Sequence, residues 1–159
     1  MNLHTKCQKG TVEFIDDAKY QFINTIDVNV KPEYLFDVLA DPDSWLQWFP
    51  NMKSATWMDK AGVGSERAVK VGSIGIVEHF IHWEPHKRFS FYVKETTMPF
   101  AKIMVEDYII EPTQNGSRFT YKVGMTPLWT ISWAPFLAKP IFSKMFRDAT
   151  KSLKSYIEN

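Results

Sequence analysis

The sequence predicts an α+β fold: a curved antiparallel β-sheet of about seven strands wrapped around a long C-terminal helix, with two short helices after the first strand. Two observations carry this. Between residues 52 and 126, six β-rich runs follow one another, separated by turn signals short enough for a meander. The only long amphipathic stretch lies at the end of the chain, Pro135 to Glu158. A strongly curved sheet needs something apolar over its concave face, and that stretch is the one element able to supply it.

Residues 1–18 read as a polar N-terminal tail with at most one short strand, and residues 19–159 as a single domain. Tyr20 to Val30 alternates, with Phe22, Ile26 and Val28 on one face and Ile23, Thr25 and Asp27 on the other, the period of a half-buried strand. Pro32 then opens a helix, because its fixed φ suits the first turn and Glu33 favours the positive helix end. Asp41-Pro42 stops it, since a residue before proline leaves the helical region. Asp43 or Ser44 can cap a second short helix from Trp45 to Phe49, ended by Pro50.

The meander runs Met52–Asp59, Ser65–Val71, Ile74–Trp83, Arg88–Thr97, Phe100–Glu111 and Arg118–Thr126. Its breaks are Lys60 to Gly64, Gly72-Ser73, Glu84-Pro85-His86, Met98-Pro99 and Pro112 to Gly116. In the last segment Phe142, Met145, Phe146, Ala149, Leu153, Tyr156 and Ile157 recur at helical spacing, with Lys144, Arg147, Lys151 and Lys154 on the other side. A helix over this span is about 36 Å long, and Pro140 is expected to kink it or mark its true start.

Composition narrows the function. The net charge is +1, which makes no electrostatic case for nucleic acid. The basic residues of the last helix, Lys139 included, read as a solvated face. One cysteine, Cys7, cannot form an internal disulfide, and no cluster has zinc spacing, so neither metal nor cofactor is expected. No stretch reads as a signal peptide. The apolar region around Leu128 to Phe142 is broken by Pro135, Lys139 and Pro140, too interrupted to span a membrane. A cytoplasmic protein with at most transient membrane contact is expected. Apolar residues make 45% of the chain and aromatic ones 15%, with seven Met, so the interior is bulky and adaptable.

Among ionisable side chains Glu78 stands out. If Ile76 and Phe80 face inward, Glu78 does too, because side chains two apart share a strand face. The alternatives are a solvated face, or a buried Arg or Lys paired with it. His79 and His82 fall on opposite faces of this strand, so they cannot form a joint site, and His82 shares the face of Glu78. His86 sits in a turn. No Ser-His-Asp or Cys-His arrangement has a supporting motif, and Cys7 in the tail is a poor candidate nucleophile. The loop from Thr126 to Pro135 carries Trp129 and Trp133 between prolines, ahead of the long helix; it reads either as a lid or docking entrance or as packing over the sheet end.

The ordered elements Asp27 to Phe36 with Pro32-Glu33, then Asp41-Pro42, Trp45 or Trp48, and Pro50 resemble the START / polyketide cyclase-dehydrase-like (SRPBCC) superfamily, also called the helix-grip fold. Gly64, Glu78 followed by Glu84-Pro85 and Lys87-Arg88-Phe89, and Asn115-Gly116-Ser117 before Phe119 extend the resemblance to roughly residues 20–158. It implies a cavity between sheet and C-terminal helix that binds a hydrophobic small molecule such as a lipid, quinone or polyketide. Its expected wall takes Trp48, Trp57, Glu78, Phe80, Phe91, Tyr108, Tyr121, Met125, Trp129, Phe142, Met145 and Phe146, with Trp45, Phe49, Trp133 and the Tyr92 hydroxyl as further candidates. Two other functions stay open: a cyclase, dehydratase or hydrolase using Glu78 as acid/base, or an interaction module of chaperone-activator type with a protein partner.

Overall fold

The computed structural model describes residues 4–129 and 134–159. Its elements in chain order are β1 (Thr5–Lys6), α1 (Phe14–Asp17), β2 (Tyr20–Val28), α2 (Pro32–Ala40), α3 (Pro42–Trp48), β3 (Met52–Trp57), β4 (Glu66–Val71), β5 (Ile74–Glu84), β6 (Arg88–Thr96), β7 (Ala101–Thr113), β8 (Gly116–Pro127) and α4 (Pro135–Glu158). The strands form one antiparallel sheet in the order β2-β8-β7-β6-β5-β4-β3, with β1 paired off this path to β6. The seven-strand path and the C-terminal helix are those expected from the meander and the last apolar stripe.

Alternation fixes which face is which. On β2, Tyr20, Phe22 and Val28 are buried while Ile23 is exposed. Val69 on β4, Phe80 on β5, Phe89 and Phe91 on β6, Tyr108 on β7 and Phe119 and Tyr121 on β8 fill the concave side. Phe146, Ala149 and Leu153 of α4 close it, each at most 1% exposed. The helix runs through Pro140, which sits in its second turn and removes only one i→i−4 bond there.

The second short helix starts three residues earlier than its apolar residues imply. Asp41 serves as its cap, the carboxylate accepting from the Asp43 N–H at 3.0 Å, and Pro42 takes the first helical position. Trp45 of this helix donates its indole N–H to the Leu39 carbonyl at 2.8 Å, and Trp57 donates to the Ala40 carbonyl at 3.0 Å. Together they seat α2 and α3 against one end of the sheet.

The first described residues join the sheet and then cross to its convex face. Direct pairing of β6 with β7 stops at Tyr92–Val105. Beyond it Thr5 and Lys6 pair with Thr96 and Glu95, the Cys7 N–H donates to the Lys94 carbonyl, and the Gln8 N–H donates to the Lys102 carbonyl. The segment thus bridges the two strands where they part. Ile15 of α1 packs with Tyr92 and Val105 on the convex side. Gly124 permits that approach, because a Cβ there would lie 2.6 Å from the Ile15 Cα.

β5 carries an irregularity that overturns the expected placing of its histidines. Phe80 pairs with Phe91 but His82 pairs with Ser90, so Ile81 is an extra residue in the strand. The parity flips there. Phe80 and Trp83 both pack on the concave side, their rings 5.6 Å apart, while His79 and His82 share a cleft on the convex side with Thr11 and Glu13. His82 therefore does not share the face of Glu78.

No described helix is long and apolar enough to cross a membrane, and no described group of three or more His, Cys, Asp or Glu is placed to hold a metal ion.

Candidate functional site

Between α4 and the concave face lies a cavity of about 130 Å³. Trp45 and Phe49 wall it on the α3 side, and Met52, Val69 and Val71 come from β3 and β4. Ile74, Ile76 and Glu78 come from β5. Met98, Phe100, Met104, Glu106 and Tyr108 follow, then Tyr121 from β8. Phe142, Met145 and Phe146 of α4 complete the wall. Met98 is exposed and Val71, Ile74, Ile76, Phe142 and Met145 are half-buried, so this side is the mouth. Glu78, Glu106, Tyr108 and Tyr121 are buried and form the floor. A roomier cleft, about 1120 Å³, runs between loops 29–33, 85–87 and 110–116; its wall is mostly exposed turn residues such as Lys31, Lys87 and Gln114, without an enclosed polar floor.

The floor is built by register. Arg67 of β4 stands opposite Glu78 of β5, so their side chains meet on one face. The Arg67 Nε donates to Glu78 Oε2 at 2.6 Å. Arg67 is fully buried, and its guanidinium carbon lies 4.3 Å from the Trp45 ring centre and 5.4 to 5.7 Å from those of Phe80, Trp57 and Phe91. Attraction to these aromatic rings thus offsets part of the cost of burying the cation. Its Nη1 and Nη2 have no hydrogen-bond partner among the described residues. Arg67 is not itself part of the cavity wall; Glu78 and Trp45, which it touches, are.

Glu106 of β7 faces the same cavity. Its Oε2 accepts from the Tyr121 hydroxyl at 2.7 Å and from the Tyr108 hydroxyl at 2.9 Å. Burial, then the nearby Glu78 charge, push the Glu106 carboxyl up to about 7, against the pull of the two hydroxyls and Arg67. Burial also raises Glu78, outweighing the attraction of Arg67. Both tyrosines are held well above their ordinary range by burial and by the Glu106 charge, so they remain donors.

Of the residues expected from the sequence, Glu78, Tyr108, Tyr121, Phe142, Met145 and Phe146 line the cavity, as do Trp45 and Phe49. Trp57, Phe80 and Phe91 lie behind the wall around Arg67. Trp48 packs against Trp45 with ring centres 4.5 Å apart, outside the wall. Met125 is core, opposite Tyr20 and Met104 on its neighbouring strands. Trp129 is 79% exposed and away from the wall. Trp133 and the rest of 130–133 in the expected lid lie outside the described residues. Tyr92 faces the convex side against Ile15, so its hydroxyl does not reach the cavity. Cys7 is half-buried and burial pushes its thiol up to about 11, which leaves little thiolate.

Sequence reasoning missed Arg67 and Glu106. The signal was alternation: Arg67 shares a face with Val69 and Val71, and Glu106 one with Met104, Tyr108 and Ile110. A charge at an inward position of an apolar strand face is the mark of a buried functional or paired group.

The family model for polyketide cyclase / dehydrase and lipid transport matches residues 21–158. An uncharacterised protein of Mycobacterium tuberculosis is 31% identical over 155 residues, covering 96% of this chain and 93% of that relative. Among solved structures, a START superfamily protein from Mycobacterium smegmatis superposes with a TM-score of 0.73 at 12% identity, covering 86% of this chain and 96% of the other. A protein from Thermus thermophilus does so with a TM-score of 0.72 at 12% identity, covering 87% and 97%. At such identity the structural likeness is one of fold.

Proposed function

Because the chain belongs to the polyketide cyclase / dehydrase and lipid transport family, we propose that it binds a hydrophobic small molecule in the cavity between the sheet and α4. One observation carries this reading: an apolar cavity with a mouth at Met98 and four buried polar side chains gathered at its floor. The aromatic and methionine wall supplies affinity by excluding water, and the floor orients the ligand's polar end.

The volume sets the scale. A dry apolar cavity of about 150 Å³ accommodates a benzene-sized ring. The present 130 Å³ therefore admits the ring end of a ligand, and a larger body needs the wall to give way. Met52, Met98, Met104 and Met145 can do this by rotamer change, as unbranched thioethers.

Mass spectrometry of an organic extract from the purified protein, paired with native mass spectrometry of the intact complex, tests the reading. A stoichiometric apolar compound is expected. A protein that carries none, and whose wall methionines are unmoved by ring-sized apolar probes, would sink it.

A second reading, an enzyme of cyclase, dehydratase or hydrolase type, is favoured by Glu106 rather than by Glu78. Glu78 is tied to Arg67, whereas Glu106 titrates near neutrality in contact with the cavity, the condition for a general acid or base. Glu106→Gln would then abolish conversion of the co-purified class of compound while binding persisted; unchanged turnover would exclude it.

A further inference from the structure

The floor has an asymmetry of donors and acceptors. Five wall side chains carry N–H or O–H or ionisable oxygen: Trp45, Tyr108, Tyr121, Glu78 and Glu106. Every donor among them is engaged by the protein. The Trp45 N–H goes to the Leu39 carbonyl, and both tyrosine hydroxyls go to one oxygen of Glu106. Glu78 uses one oxygen for Arg67. The second oxygen of each carboxyl has no side-chain partner among the described residues. Arg67, the one buried cation nearby, stands behind Glu78 and Trp45 in its aromatic box.

On the wall itself an incoming ligand thus meets acceptors and no free side-chain donor, the unpartnered Nη1 and Nη2 of Arg67 lying behind it. We propose that the cavity selects uncharged ligands whose polar end donates a hydrogen bond, a hydroxyl on a ring being the simplest, and excludes carboxylates, with Glu106 as the residue that sets the choice. This rests on the binding reading above. A carboxylate would bring a second uncompensated negative charge against Glu106, whose partners are neutral hydroxyls, in an apolar site where like charges repel strongly. A hydroxyl completes the unpaired oxygen instead. Glu78 relaxes the rule less, since one of its oxygens is committed to Arg67 in a buried ion pair. Glu106 relaxes it more, because protonation turns its free oxygen into a donor.

The test uses three probes with one body: para-ethylphenol, ethylbenzene and para-ethylbenzoate. Binding is read by NMR of methyl-labelled methionines, with Met52, Met98, Met104 and Met145 reporting the wall and Met58 and Met125 as controls. At about pH 8 the phenol is expected to bind about tenfold more tightly than ethylbenzene, and the benzoate about tenfold more weakly. Glu106→Gln keeps the shape and an oxygen for the tyrosines but places a permanent donor in the floor. It should close the benzoate gap by about tenfold and leave ethylbenzene unchanged.

The wild-type protein gives an independent reading should that variant fold poorly. Neither acidic probe titrates between about pH 5.5 and 8. The groups facing Glu106 are Tyr108 on its own strand, Tyr121 on β8, Glu78 on β5 and Arg67 beyond it on β4; α4 contributes only Phe142, Met145 and Phe146. The benzoate gap should therefore narrow as pH falls below about 7. A benzoate as tight as the phenol at pH 8, or a gap indifferent to both pH and Glu106→Gln, overturns the inference. If all three probes bind alike, cavity binding stands and the selectivity falls. If none moves the wall methionines, both fall.

Discussion

Glu106 and Asp107 are neighbours on β7, both buried, and they face opposite sides of the sheet. On the convex side Asp107 has its charge fully met. Arg88 donates to both its oxygens at 2.9 Å, and the buried Ser90 hydroxyl adds a bond at 2.6 Å. On the concave side there is one arginine near two carboxyls; its single Nε bond goes to Glu78, and Glu106 relies on two hydroxyls. The same residue chemistry is closed on one face and left open on the other, and only the open one borders a cavity. Completeness of hydrogen bonding separates a group that holds the sheet from a group available to a ligand.

The comparison is broken most severely at Arg67. Arg67→Ala removes the cation from four aromatic faces and strands Glu78. A loss of about 3 to 5 kcal/mol is expected, read as the urea midpoint at constant slope. A loss under about 1 kcal/mol would show that Glu78 simply protonates and that the box tolerates a void.

The convex partner should cost less. Asp107→Ala leaves the Ser90 hydroxyl without its acceptor, but Arg88 is a third exposed and can turn to water. About 2 to 3 kcal/mol is expected, with the affinity of the remaining folded protein for apolar probes unaltered. A change in that affinity would contradict the separation of the two faces.

How much of this was legible beforehand follows the same division. The sheet, the two short helices and the C-terminal helix were readable because each has a local cause: alternation in Tyr20–Val28, Pro32 at a helix start, Asp41-Pro42 between the two short helices, the stripe through Phe146, Ala149 and Leu153. Glu78 was readable because one strand's parity places it. Its bond to Arg67 was open in the sequence, because it depends on the β4–β5 register across a turn. The bulge at Ile81 was not readable, since an extra residue shows only against the partner strand, and it moved His82 to the far face. Trp48, Trp57, Phe80, Phe91 and Met125 share the cavity wall's residue types, and only curvature decides which aromatic borders space and which borders another ring.

pH sharpens the comparison next. The Glu106 carboxyl is raised in the fold to about 7 from 4.5, so the folded state prefers it protonated. Its contribution to stability is complete below about pH 4.5 and is lost as pH rises through about 7. Glu106→Gln removes that decline and should leave the protein about 2 kcal/mol more stable than wild type at pH 8, with little difference at pH 5. Glu78, also raised, keeps a residual slope of the same sign in the variant. Urea midpoints at the two pH values measure it, and identical declines in both proteins would place the titration elsewhere.

The smallest effect asks whether the tyrosines hold the charge or only fill space. The Tyr121 hydroxyl donates to Glu106 at 2.7 Å, the shorter of the two bonds, and favours the ionised carboxyl. Tyr121→Phe keeps the ring against Phe146 and Tyr108 and deletes that donor. The cost should be about 1 kcal/mol at pH 8 and less at pH 5, where Glu106 carries its own proton. Since the deleted bond favoured the charged form, the Glu106 midpoint, followed by NMR of its side-chain carboxyl carbon, must move upward from about 7. Tyr108→Phe should move it the same way by less, its bond being the longer at 2.9 Å. A midpoint that stays put or falls would mean the hydroxyls do not donate to the carboxyl, and the floor would then have free donors to offer a carboxylate ligand after all.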